Sequence, residues 1–223
     1  MLIVSEAWKS AYPGAATGIL AMRNVANPEG HPELGARIHG LEGQLRAQWT
    51  DRNALKALPT IQAYDAYYKR FKKTYHVLLQ LESVALKGKP IPRVGALVEA
   101  MFMAELKNLL LTAGHDLAAV RMPVRLDVAN GSERFVMLNG QEQELKAGDM
   151  MMADGEGVIS SVVYGPDRRT RITPETRQVL YAVYAPPGIG EDAVLRHLQD
   201  IRAIVQLVAP AAAVGLLEVY GAG

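Results

Sequence analysis

The strand-like segments within residues 148–187 constrain the fold of this chain more than any other feature. Three apolar runs lie there, at 150–153, 158–163 and 179–185, and the last two are rich in β-branched residues and tyrosine. Glycine or proline bounds the set, and this combination is typical of buried strands. We therefore expect residues 158–163 and 179–185 to be core strands of one sheet.

A cationic loop separates the last two of these runs. Gly165 and Pro166 signal a turn, and three arginines follow shortly after it, at Arg168, Arg169 and Arg171. A tight turn needs no arginine, whereas guanidinium groups bind carboxylates and phosphates through paired N–H donors. We therefore expect this arginine loop at the rim of the sheet, and it is the first place to look for a functional site.

Helical patterns fill most of the first half of the chain. After Pro32, apolar side chains recur at steps of three or four up to residue 49, and residues 94–111 are apolar on most sides. This spacing predicts two helices, of which the second is central and buried. A further amphipathic helix is predicted at 191–208.

The second half of the chain is richer in strand patterns. Residues 124–128 alternate between apolar and polar side chains, and an Asn-Gly pair at 130–131 predicts a hairpin with residues 135–138. Together with the segments above, these patterns predict an α+β fold with helices mainly in the first half and strands in the second. The economical interpretation is a single domain over residues 1–223.

Positive charge is concentrated in one window, although the net charge of the whole chain is only +1. Residues 67–93 carry seven cations and a single acid, Glu82. Such asymmetry is found on phosphate-binding faces and equally on solvated helix surfaces. The candidates for phosphate binding in this window are Lys69, Arg70, Lys72, Lys73, Lys87 and Lys89.

Aromatic residues interleave with the first four of these cations. Rings among lysines and arginines suggest base stacking beside phosphate contacts. Tyr64, Tyr68 and Phe71 share one helical face, however, which favours rings packed in the core with lysine tails outside. The two interpretations differ in whether the rings are exposed.

Several classes of chemistry are excluded by what the sequence lacks. It has no cysteine, which excludes disulfides, thiolate metal sites and cysteine nucleophiles. It contains no phosphate-loop, dinucleotide-binding, zinc-protease or nucleophile-elbow motif, and its five histidines do not have the spacing of metal ligands. We therefore expect neither a metal nor a cofactor.

Signals for export or membrane insertion are weak. Residues 1–6 have no cationic region before their apolar side chains, which argues against a signal peptide. The most apolar segment, 203–217, contains Pro210 and Gly215 and is too short to cross a bilayer. We expect a cytoplasmic protein that binds neither membranes nor DNA.

The strand-rich stretch also resembles a known family. The residues that carry the resemblance are GD at 148–149, ADGEGV at 153–158, DRRTRITPET at 167–176 and VLYAV at 179–183. This pattern is similar to stand-alone proteins of the B3/B4 family, which resemble the tRNA-editing domain of the bacterial phenylalanyl-tRNA synthetase beta subunit. The resemblance covers roughly residues 67–187, and it implies a layered core like a β-sandwich.

The resemblance also implies a partner and a reaction. The partner would be tRNA or aminoacyl-tRNA, and the reaction would be hydrolysis of a mischarged aminoacyl ester, which needs a held water but no protein nucleophile. His115 and Thr170 would be the polar, catalytic residues of the pocket. Arg168, Arg169 and Arg171 would hold phosphate or carboxylate.

The chain departs from the family pattern at two positions of that pocket. The pocket histidine of the synthetase domain aligns with Ala113, and His115 follows two residues later in a segment, 112–117, that resembles a turn of the stand-alone members. When the sequences are aligned on residues 174–176, the glutamate of the editing domain falls near Asp167 and Arg168, and Arg168 cannot act as a carboxylate. His115 is the candidate substitute, because an imidazole can orient a water or a ribose hydroxyl.

Three function hypotheses remain. The first is a tRNA-binding protein that hydrolyses mischarged aminoacyl-tRNA in trans, and the second is a non-catalytic RNA-binding module that uses the basic window. The third is a pocket for a free amino acid or a similar small metabolite. If the arginine loop and the segment around His115 close on one site, His115 and Arg168 should point into the same concavity.

Overall fold

The computed structural model describes residues 2–223 and contains seven α-helices and eleven β-strands in that part of the chain. The helices are α1 (Glu6–Ala11), α2 (Pro32–Gln48), α3 (Arg52–Lys56), α4 (Pro59–Arg70), α5 (His76–Leu81), α6 (Ala96–Asn108) and α7 (Glu191–Val208). The strands are β1 (Leu2–Val4), β2 (Ala16–Arg23), β3 (Leu111–Asp116), β4 (Val124–Val128), β5 (Arg134–Val136), β6 (Glu142–Glu144), β7 (Met150–Ala153), β8 (Val158–Ser161), β9 (Gly165–Pro166), β10 (Gln178–Ala185) and β11 (Ala213–Gly221). A π-helical turn, Glu82–Leu86, continues α5.

The order of these elements confirms the predicted α+β class. Within residues 2–223, six of the seven helices precede residue 110, and nine of the eleven strands follow it. Local signals set several helix ends: the Ser5 hydroxyl accepts a hydrogen bond from Trp8 N at the start of α1, and Pro32 is the first residue of α2. None of the helices between residues 2 and 223 has the length and apolar character needed to span a bilayer.

Two sheets and a helical layer form the core. The five-stranded sheet has the order β1-β4-β7-β8-β9, and the four-stranded sheet has the order β11-β2-β10-β3. The sheets face each other, and the Ser160 Oγ of β8 lies 2.5 Å from the Tyr184 hydroxyl of β10. On the opposite face of the four-stranded sheet, the Tyr181 hydroxyl donates to Leu97 O of α6 at 2.8 Å. The layered, sandwich-like arrangement of the sheets is thus confirmed.

The two runs expected in one sheet lie in different sheets. Both are buried strands as predicted, but β8 pairs with β7 and β9, whereas β10 lies between β2 and β3. Fully buried strands have similar sequences in either sheet, so their composition does not reveal their partners. The prediction of a common sheet was wrong, and the arginine loop crosses from one layer to the other.

Two predicted turns also have different structures. The Asn-Gly pair at 130–131 does not join a hairpin, because β4 pairs with β1 and β7 while β5 pairs with β6. The segment 112–117, which resembles a family turn, lies mostly in β3, and this strand ends at Asp116. The chain turns only after the strand, where Ala119 N donates to Asp116 O at 3.0 Å. Among the described strands, β3 pairs with β10 alone and is therefore an edge strand of the four-stranded sheet.

The aromatic face of α4 belongs to the core. Tyr64, Tyr67, Tyr68 and Phe71 are all buried. Three of their hydroxyls anchor α4 to strands and loops of both sheets: Tyr64 donates to Tyr184 O at 2.5 Å, Tyr67 to Asp149 Oδ1 at 2.6 Å and Tyr68 to Val162 O at 2.6 Å. The core interpretation of these rings is therefore confirmed, because buried rings are not accessible to bases.

Candidate functional site

The free edge of β3 borders a cavity of about 440 Å³, which we call the edge cavity. Its apolar lining comes from Val94, Val98, Met101, Phe102, Leu111, Leu138, Pro166 and Ile172, with Ala113 and Gly114 of β3. Its polar lining comes from His76, Gln80, Glu105, Thr112, Ser161, Arg171 and Tyr184. A mostly apolar cavity with a few converging polar groups is the usual form of a small-molecule site.

The backbone of β3 offers hydrogen-bonding groups to the edge cavity. In an antiparallel strand, successive residues point their N–H and C=O groups to opposite edges. Thr112 N donates to Glu105 Oε1 at 2.8 Å and Asp116 N donates to Thr170 O at 2.7 Å, so both point away from β10. Gly114 lies between them in the strand and therefore presents its N–H and C=O to the same open edge.

A side chain at Gly114 would crowd the edge cavity. A Cβ at Gly114 would lie 2.8 Å from Ile172 Cδ1 and 3.5 Å from Met101 Sδ, both of which line the edge cavity. A larger residue would therefore fill the space beside the backbone N–H. Close approach of a ligand to a strand edge is a common reason for glycine in a strand.

Glu105 is a buried acid in the lining of the edge cavity. Burial raises the pKa of Glu105 to about 8, and the hydrogen bond from Thr112 N opposes this shift. The carboxyl is therefore mostly protonated at neutral pH and supplies an O–H donor as well as an acceptor. A neutral carboxylic acid suits an apolar cavity, because an unpaired buried charge is costly.

His76 is the histidine of the edge cavity. It begins α5, is half-buried, and its Nδ1 lies 3.1 Å from the Tyr68 hydroxyl. Burial lowers the pKa of His76 to about 4, so the ring is neutral at physiological pH.

His115 and Thr170 are brought together by the fold, but within the described chain they are not part of the edge-cavity lining. His115 Nδ1 lies 2.7 Å from Thr170 Oγ1, both residues are fully buried, and the Thr170 hydroxyl donates to the Asp167 carboxylate. Burial lowers the pKa of His115 to about 3. This network ties β3 to the arginine loop, and the catalytic role of the pair stays a prediction.

The three arginines of the loop have different surroundings. Arg169 is held in place, because its guanidinium contacts Asp154 Oδ1 at 2.8 Å and Glu156 Oε2 at 3.3 Å and donates to Ala119 O at 2.8 Å. Arg171 is exposed and lines the edge cavity. In the described part of the chain, Arg171 makes no ion pair, which leaves its charge available to a ligand.

The prediction that Arg168 and His115 point into one concavity was wrong. Arg168 is exposed and its guanidinium packs beside Gly140, whereas His115 is fully buried between the sheets. The chain reverses direction between Asp167 and Thr170, where both Thr170 N and its hydroxyl donate to Asp167, so neighbouring residues face opposite ways. Arg171 is the arginine of this loop that reaches the edge cavity.

The basic window divides into two separate groups. Near the end of α4, Lys69 pairs with Asp65 at 2.6 Å and the Arg70 guanidinium lies 5.2 Å from the centre of the Tyr12 ring. Lys72 and Lys73 follow and are exposed. The other two phosphate-binding candidates, Lys87 and Lys89, lie on the exposed connector after the π-helical turn, where Arg46 donates to Lys89 O at 3.3 Å.

Sequence reasoning missed Glu105 and His76. Glu105 could have been noticed, because it is a carboxylate in a helix that is otherwise apolar on most sides. His76 carried no such signal, because its place in the edge cavity depends on the packing of α5 against α4 and the strands.

Comparison with known proteins identifies one family, and solved structures also match the chain. The sequence model of the B3/4 domain matches residues 63–217, which are 155 of the 223 residues. No curated protein matches the chain. Among solved structures, the chain is similar to an N-terminal fragment of the phenylalanyl-tRNA synthetase beta-subunit from Pyrococcus horikoshii, with a TM-score of 0.48 and 12% identity. That match covers 98% of this chain and 50% of the fragment, so the chain spans about half of the fragment's length.

Proposed function

Because this chain belongs to the B3/4 domain family, we propose that its edge cavity binds the aminoacyl end of an aminoacyl-tRNA and that the protein hydrolyses mischarged esters in trans. The observation that carries the proposal is the edge cavity itself. It is an apolar space of about 440 Å³ bordered by a strand edge with free backbone groups. An aminoacyl ester offers matching features, namely a side chain, a carbonyl and an amino group.

Each part of the ester has a counterpart in the cavity. The apolar walls formed by Val98, Met101 and Phe102 would bury the side chain of the amino acid. The N–H of Gly114 would donate to the ester carbonyl, where negative charge develops during attack by water. Arg171 at the mouth would contact a phosphate of the tRNA end.

The test is incubation of the protein with a panel of mischarged tRNAs while loss of the labelled amino acid is followed. We expect faster deacylation of at least one tRNA that carries an apolar amino acid. Arg171→Ala should raise KM, because the charge at the mouth is removed, whereas Arg125→Ala, an exposed change on β4, serves as the matched control. If no member of the panel loses its amino acid faster than in buffer, the hydrolytic function is refuted.

A free amino acid or similar metabolite is the second candidate ligand. The specific observation in its favour is that Lys69 and Arg169, two of the predicted phosphate-binding residues, already have carboxylate partners. Equilibrium dialysis with free apolar amino acids separates the two functions. Binding of a free amino acid with no effect of added tRNA would favour the metabolite pocket.

A further inference from the structure

The hydrogen bonds of Tyr68 fix the position of the proton on His76. The Tyr68 hydroxyl has one hydrogen, and it donates this hydrogen to Val162 O at 2.6 Å, because a carbonyl can only accept. The same hydroxyl oxygen lies 3.1 Å from His76 Nδ1 and therefore has to accept there. His76 thus carries its proton on Nδ1, and in the neutral ring Nε2 has a free lone pair.

The surroundings of His76 keep this tautomer in place. Tyr68 is buried, its ring is nearly perpendicular to the His76 ring, and Tyr75 packs against the imidazole from another side. Burial also lowers the pKa of His76 to about 4, so the lone pair on Nε2 persists at neutral pH. The same tautomer is found in the general-base histidine of the Ser-His-Asp triad, where a carboxylate rather than a tyrosine hydroxyl accepts from Nδ1–H.

The ring belongs to the same cavity as the other polar groups of the site. His76 lines the edge cavity together with Glu105 and Gly114. The edge cavity is therefore lined both by a proton acceptor, His76, and by the strand edge that carries the backbone N–H of Gly114.

We propose that His76, through Nε2, is the proton acceptor for the water that attacks the aminoacyl ester in the edge cavity. This role rests on the proposed hydrolytic function. The water oxygen bonds to the ester carbonyl carbon as one of its protons moves to His76 Nε2. The bond from that carbon to the ribose oxygen then breaks, and the ribose oxygen accepts the proton from His76 Nε2. The products are the free amino acid and the uncharged tRNA, and His76 returns to its neutral form.

Measurement of deacylation kinetics for the His76→Ala variant tests this role. Using a tRNA that the wild-type protein deacylates, we expect kcat to fall roughly 100-fold or more and KM to stay within about threefold, because a general base acts mostly in the transition state. Added imidazole should restore part of the rate in this variant. His39→Ala is the matched control, because that histidine is 87% exposed on α2 and should leave kcat unchanged.

A second measurement does not depend on the variant folding. Long-range proton–nitrogen NMR of the wild-type protein should show His76 protonated at Nδ1 and unprotonated at Nε2 between pH 6 and pH 8. Tyr68→Phe should loosen this preference and lower kcat without a comparable change in KM. A proton found on Nε2, or a folded His76→Ala variant with undiminished kcat, would overturn the role of His76 and leave the proposed function standing. Absence of any deacylation by the wild-type protein would refute both.

Discussion

At the scale of single residues, ionisation of Glu105 links the edge cavity to stability. Burial raises its pKa to about 8 in the folded protein, compared with 4.5 for an ordinary glutamate. Between these values the folded protein holds a proton that the unfolded chain has released. The contribution of Glu105 to the free energy of unfolding is therefore highest below pH 4.5 and is lost as pH rises through about 8, with a limiting slope of about 1.4 kcal/mol per pH unit.

Glu105→Gln should remove this pH dependence. Glutamine keeps an acceptor for Thr112 N but does not titrate. We expect urea denaturation at several pH values from 5 to 8 to show the variant gaining stability relative to wild type as pH rises. The comparison with wild type cancels the opposite effect of the buried histidines, whose lowered pKa values favour folding at higher pH. A constant difference across this range would contradict the raised pKa of Glu105.

The buried pair of His115 and Thr170 gives a second prediction for single residues. Thr170→Val keeps the shape of the side chain but removes the hydroxyl that accepts from His115 and donates to Asp167. We expect a loss of about 1–3 kcal/mol in the free energy of unfolding, because two buried polar groups lose their partner. Thr170→Ser should retain most of the stability. A loss of deacylation by Thr170→Val without a loss of stability would instead favour a catalytic role for the pair.

At the scale of elements, one strand glycine packs against a helix and another lies beside the edge cavity. A Cβ at Gly18 of β2 would collide with Val194 and Leu198 of α7, whereas a Cβ at Gly114 of β3 would meet the flexible end of Ile172. Gly18→Ala should therefore separate α7 from the sheet and destabilise the protein by about 1–3 kcal/mol. Gly114→Ala should cost less stability but slow deacylation, because its methyl group would enter the edge cavity. Thermal unfolding and the deacylation assay, measured on both variants, should give opposite rankings.

At the scale of the whole molecule, the position of each cation decides its share in any binding of tRNA. Lys72 and Lys73 are exposed near the end of α4, whereas Lys69 already pairs with Asp65. Replacing Lys72 and Lys73 with glutamine should flatten the plot of log affinity against log salt by about 0.7–0.9 for each phosphate that the protein no longer neutralises. Lys69→Gln should change the slope less, because its charge is partly neutralised in the free protein. Equal slopes for the double variant and wild type would show that α4 does not face the RNA.

Local sequence determined most of the individual elements. The apolar spacing of α7, the proline that begins α2 and the β-branched composition of β8 and β10 each predicted the observed structure. These features could be predicted because a helix or strand is set largely by backbone hydrogen bonds and side-chain periodicity within a few residues of one another. The B3/4 family was also identified from residues in the second half of the chain.

Tertiary structure alone decided how these elements combine and where the site lies. Sequence did not show that β8 and β10 belong to opposite sheets, or that the edge of β3 stays open beside α5 and α6. It also did not show that burial raises the pKa of Glu105 or that His76 lines the edge cavity. Strand pairing, burial and pKa depend on contacts between residues far apart in the chain, and the desolvation that these contacts cause has no counterpart in the local sequence.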